Sequence, residues 1–165
     1  MKQLLLIRHA KSSWKQVGMA DFDRPLNPRG ERDAPNMGER LSRAGVAPDV
    51  IVSSAARRAA DTARVFAEQL GHDPAELVLD GELYLASPPE LLEAVRRLEP
   101  RVEHAALVAH NPGITDFVNA LAGTSIDNVP TCGVARLRLD IEEWRNADAG
   151  CAELVEFDYP KRDRD

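Results

Sequence analysis

Short apolar runs bounded by polar residues recur along the chain, and between them lie longer stretches whose apolar positions fall at helical spacing. The pattern predicts strands over 3–8, 50–53, 76–79, 105–109, 135–140 and 153–159. Helices are predicted over 30–44, 56–70, 88–98 and 113–122, with Gly71 as the stop of the second. The runs "LLLI" and "ALVA" are apolar at successive positions rather than alternate ones, which requires burial on both faces. Strands and helices in alternation, with strands of that kind, predict an α/β chain. The expected form is a three-layer α/β/α sandwich around a mostly parallel central sheet, with the last two strands free to pair as an antiparallel hairpin.

In open α/β sheets ligands gather beyond the carboxyl ends of the strands, so a polar residue directly after a buried strand is a site candidate. That rule selects Arg8 and His9, then Ser53 and Ser54, then His110 and Asn111. In "LVAHNPGI", Asn111 can cap the following helix and Pro112 suits its first turn, which sets the His110 imidazole near a helix N-terminus that favours anions. In "SSAARRAADTA", Arg57 and Arg58 open a helix about 100° apart, so only one of them can face a pocket. Two histidines and two arginines arriving at strand ends would make a cationic cup, and a guanidinium fork matches phosphate oxygens. Taken singly, a strand-end histidine can equally be a hydrogen-bonded structural residue, and a pair of arginines a solvated face.

Composition narrows the chemistry. With 165 residues the chain fits one domain, and 44% hydrophobic and 29% charged residues describe an ordinary globular protein. A formal net charge of -6 leaves no basic footprint for nucleic acid, so an anionic substrate must be held by a few placed cations. Cys132 and Cys151 have no CxxC spacing, which argues against a disulfide framework or a zinc site and fits a reducing, cytoplasmic setting. The apolar run ends at Ile7, too short for a signal core or a membrane span, so no membrane partner is expected. No metal is expected: a third ligand at a familiar spacing is missing, and Arg8 would repel a divalent cation. Neither a G-x-S-x-G elbow nor a Gly-rich phosphate loop occurs, and no cofactor is implied.

"LLLIRHAKSSW" resembles the signature of the histidine phosphatase (phosphoglycerate mutase-like) superfamily, with Ala10 in place of the usual glycine, and "AKSSW" is similar to SixA-type phosphohistidine phosphatases. "DFDRPLNPRG" (21–30), "VSSAARRAADTA" (52–63) and "VAHNPGI" (108–114) follow in the family's order. The resemblance implies a phosphoglycerate mutase-like fold, a transiently phosphorylated His9, and Arg8, Arg58 and His110 gripping the phosphoryl oxygens. It selects Arg58 over Arg57. Glu82, in "LDGELYLAS", stands where the family commonly carries a general acid, and its alternative is a solvated loop carboxylate. Ser12 either donates to substrate or holds its turn, and Arg24 either pairs with Asp21 or Asp23 or contacts substrate. Lys15 occupies the position of a phosphate-touching asparagine in the mutases, and Trp14 is expected to pack as a lid on the strand end.

The connection over 79–88 is short, which implies an open pocket. An open pocket suits a phosphohistidine presented by another protein. A small phosphorylated metabolite is the alternative substrate, and a non-catalytic phosphate-binding module is the alternative class.

Overall fold

Strand β1 (Lys2–Arg8) buries Leu4 and Leu6 on one side and Leu5 and Ile7 on the other, all 1% exposed or less. Each contributes about 1.5–3 kcal/mol relative to an exposed side chain. The two sides belong to two separate cores, which is what a strand apolar at every position demands. Helices α1 (Pro28–Arg43) and α2 (Arg57–Gln69) close one core through Ala34, Met37, Leu41, Ala63 and Phe66. Helices α3 (Pro88–Arg96) and α4 (Gly113–Ala122) close the other through Leu91, Val95, Ile114, Phe117 and Leu121. The result is the expected α/β/α sandwich. The computed structural model describes residues 1–162; the closing "KRDRD" (161–165), whose composition reads as a solvated tail, lies outside the described residues from 163 onward.

The remaining strands are β2 (Val50–Ser54), β3 (Val78–Asp80), β4 (His104–Ala109), β5 (Val134–Leu139) and β6 (Ala152–Asp158). They form a six-stranded sheet in the order β3-β2-β4-β1-β5-β6. β1 with β4, β2 with β4 and β2 with β3 are parallel, while β5 runs antiparallel to both β1 and β6. Register fixes the functional edge: Arg8 pairs with Ala109 and Ser53 with Val108, so His9 and His110 leave the sheet together, beside Ser54 at the end of β2.

Boundaries shift where caps decide them. α1 starts at Pro28, ahead of the predicted Gly30, because Asn27 accepts a hydrogen bond from the Gly30 backbone N–H at 2.8 Å and a proline suits the first turn. Pro35 sits inside α1 and removes one hydrogen-bond donor, yet Ala34, Met37 and Leu41 keep that face buried. β3 starts at Val78 rather than Glu76, because Asp73 caps a short 3-10 turn over Pro74–Glu76.

Two glycines allow close approach beside the functional edge. A Cβ at Gly30 would lie 2.2 Å from the Lys11 carbonyl oxygen, and one at Gly113 would lie 2.0 Å from that of Ala86. α1 and α4 are thereby pressed against the loops that follow His9 and Leu85. Among the described residues no helix is long and apolar enough to cross a membrane.

Candidate active site

The nucleophile candidate is held by its own backbone. Cys132 N–H lies 3.0 Å from the Arg8 carbonyl and 2.9 Å from that of His9, while His9 N–H donates to Ala109 at 3.2 Å. Ala10 N–H donates to Thr62 Oγ1 at 2.9 Å, and Thr62 in turn donates to the Arg58 carbonyl. Leu85 and Cys132 are the non-glycine residues with positive φ among those described, so Ala10 adopts an ordinary backbone and its methyl is accommodated.

His9 Nδ1 lies 2.7 Å from the Ala10 carbonyl oxygen, which can only accept. Nδ1 therefore carries the proton, and Nε2 presents its lone pair. Burial, reinforced by His110, Arg58 and Arg8, lowers the His9 pKa to about 3, so the ring is neutral and nucleophilic near pH 7.

His110 arrives from β4 and Arg58 from the first turn of α2. Arg58 Nη2 faces His110 Nδ1 at 3.4 Å, and a guanidinium only donates. His110 Nε2 then carries the proton and donates to Ser54 Oγ at 2.7 Å. Burial first, then the charge of Arg58, lowers the His110 pKa to about 4. Arg8 donates to the Val129 carbonyl at 3.0 Å. The Nε–H groups of both Arg8 and Arg58 are buried without a partner among the described residues. Such donors cost about 1–3 kcal/mol each and are characteristic of sites built for a ligand.

Asp21 gathers the surrounding groups. Its carboxylate accepts from Arg58 Nη2 at 3.0 Å, from Arg24 Nε at 3.0 Å and from the Tyr84 hydroxyl. Its carbonyl accepts from Arg58 Nη1 at 2.7 Å. Although desolvation opposes it, the hydrogen bonds from Tyr84, Arg58 and Arg24 bring the Asp21 pKa down to about 2, so this carboxylate stays ionised.

These elements enclose a cup of about 210 Å³ whose polar wall includes Arg8, His9, Ser12, Arg24, Arg58 and His110. Three guanidiniums, a neutral imidazole with a free lone pair and a second neutral imidazole are suited to hold and transfer a phosphoryl group. No Asp or Glu is among the residues lining the cup. Among the described residues no three His, Cys, Asp or Glu side chains are grouped to hold a metal ion.

Arg8, His9, Arg58, His110 and Ser12 thus meet at one cup, whereas the fold does not bring Glu82 there. Glu82 follows β3 in a short turn capped by Asp80, and its exposed carboxylate pairs with Arg97 at 3.1 Å. Arg57 points outward to Asp61, as the angular argument requires. Arg24 pairs with Asp21 and also donates to Ser12 Oγ at 2.6 Å, so it belongs to the wall of the cup. Trp14 is 74% exposed and lies over the Arg24 guanidinium at 3.5 Å, so it is no packed lid; "KSSW" turns out of the strand before the ring can reach the core. The Lys15 side chain is exposed and does not line the cup. Asp21, Tyr84 and Thr62 escape the strand-end rule. Only "DFDRP" hints at one of them, through an acid three residues before an arginine.

The Histidine phosphatase superfamily (branch 1) profile matches residues 4–84. An uncharacterized protein of Mycobacterium tuberculosis is 33% identical over 165 residues, covering 94% of this chain and 100% of the relative. With the site described above, these matches define the class: the chain belongs to the histidine phosphatase superfamily. A solved candidate phosphohistidine phosphatase SixA from Agrobacterium tumefaciens is 28% identical, with a TM-score of 0.82 over 96% of this chain and 98% of that one. The corresponding SixA candidate from Nakamurella multipartitia is 26% identical, with a TM-score of 0.80 over 98% of this chain and 97% of that one. Within the superfamily the chain is therefore of the SixA type, a phosphatase on a phosphoglycerate mutase-like fold.

Proposed function

We propose that residues 1–165 act as one catalytic domain that removes the phosphoryl group from a phosphohistidine carried by another protein, through a phospho-His9 intermediate. His9 Nε2 attacks phosphorus in line; the P–Nε2 bond forms as the bond to the substrate imidazole breaks. Arg8, Arg58, Arg24 and His110 hold the phosphoryl oxygens while charge redistributes over them. Water then attacks phospho-His9, the P–Nε2 bond breaks, and inorganic phosphate leaves.

The observation that carries this reading is the carboxyl-free lining of the cup. An alkoxide leaving group needs a proton at departure, and among the described residues no carboxylic acid lines the cup to supply it; Glu82 is engaged by Arg97 and Asp21 stays ionised. A departing imidazole is a far better leaving group and manages with water. The similarity to two candidate SixA phosphohistidine phosphatases supports the same substrate class. Small phosphorylated metabolites form the second reading, because the arginines grip phosphoryl oxygens whatever carries them.

Purified protein should be assayed for phosphate release from a phosphohistidine protein, from free phosphohistidine and from an alkyl phosphate ester such as glycerol phosphate. Faster turnover of the phosphohistidine forms is expected. Preference for the ester would favour the metabolite reading, and no release from any of the three would favour a binding module.

A further inference from the structure

The mouth of the cup carries side chains that its chemistry does not use. Leu85 lines it, is 57% exposed, and is held at φ 52, a left-handed conformation that a leucine adopts only when its surroundings impose it. Trp14 lies across the same mouth, and the connection it opens runs through Val17, 101% exposed, before returning to the site at Asp21. Phe22 is also exposed and packs edge-on against Tyr84. Half of the eight large exposed apolar residues of the described chain thus lie on the two segments that frame the cup. Lys11 and Lys15, on the same segments, have no ion-pair partner among the described residues, whereas most other surface cations are paired. The exposed leucine and indole are apolar surface that a bound partner would cover, and the unpaired lysines offer it cations.

We propose that this rim is the docking surface for the phosphoprotein, and that the occupant presents an apolar patch flanked by carboxylates around its phosphohistidine. The inference rests on the phosphohistidine reading and adds that recognition extends beyond the phosphoryl group. An acidic chain of net charge -6 that keeps Lys11 in the lining of this mouth and Lys15 on the segment beside it, both without an ion-pair partner among the described residues, is complementary to such a patch.

The test combines Lys15→Glu with Val17→Asp, two positions outside the cup, and compares a phosphorylated histidine phosphotransfer protein with free phosphohistidine. The double variant should lose about tenfold or more in kcat/KM on the protein and keep its rate on free phosphohistidine within about twofold. Unchanged rates on both substrates, or equal losses on both, would overturn the docking surface while leaving the phosphohistidine reading intact. A wild-type enzyme that turns over neither form would overturn that reading, and the docking surface with it.

Discussion

The imidazoles of His9 and His110 lie 5.1 Å apart, tilted by 53°, and their protons sit on different nitrogens. His9 carries its proton on Nδ1, bound to the Ala10 carbonyl, while His110 carries its own on Nε2, bound to Ser54. One ring is thereby free to attack while its neighbour adds no second positive charge.

That neutrality sets a pH dependence of stability. An unfolded histidine titrates near 6.5, against about 3 for His9 and about 4 for His110 in the fold. Between those values the unfolded chain binds the extra protons, so stability falls as pH drops from about 6.5 towards 4. Urea denaturation at about pH 7 and about pH 5 should show this loss, and His9→Gln should reduce the slope. A wild-type protein equally stable at both values would mean the rings titrate normally.

His9→Ala should lower turnover by roughly a thousandfold or more on every phosphoryl substrate. Brief reaction of the wild type with radiolabelled phosphohistidine, quenched in base, should leave label on His9. Activity retained in the variant would exclude the covalent route.

Asp21→Asn should leave Arg58 and Arg24 without their shared anion and reduce kcat/KM by about tenfold. The Asp21 pKa falls from 3.8 unfolded to about 2, so its stabilisation is present above about 4 and is lost as pH falls through 2. Its side chain is 41% exposed, so screening by solvent keeps that contribution small. The variant should flatten the acid limb in this window, which acid titration followed by circular dichroism can read.

Glu82→Gln should change rates on an alkyl phosphate ester and on free phosphohistidine by less than about twofold, because its carboxylate faces Arg97 at the surface. A loss confined to the ester would restore Glu82 as a general acid.

Gly30→Ala should destabilise the fold by about 1–3 kcal/mol through its contact with the Lys11 backbone. Since Lys11 lies two residues after His9, activity should fall further than that of an exposed control such as Gly81→Ala, which meets nothing within 4 Å.

Much of the cup is legible in one dimension because Arg8, His9 and His110 each sit at a strand's end, and burial on both faces of "LLLI" and "ALVA" identifies those strands. Arg58 needs one further step, the divergence of adjacent residues on a helix. Asp21 and Tyr84 stay hidden since they meet across 63 residues through the path of two loops, and no local pattern encodes that meeting. Glu82 occupies a suitable segment, but the Asp80 cap turns that segment so that Arg97 becomes its neighbour. Trp14 reads as a packing lid on the strand end, while its surroundings make it a cover for Arg24.

The place of β4 between β1 and β2 also bears on how the enzyme comes into being. Residues 4–84 contain Arg8, His9 and Arg58, yet the strands that deliver them touch only through a segment made later. A segment of that length contains His9 and the paired strands β2 and β3, but not β4 or β5, the two neighbours of β1 in the sheet. The cup can therefore assemble only after β4 has been inserted between β1 and β2, and the sequence-distant pairing of that step predicts folding slower than that of a helical bundle of equal size.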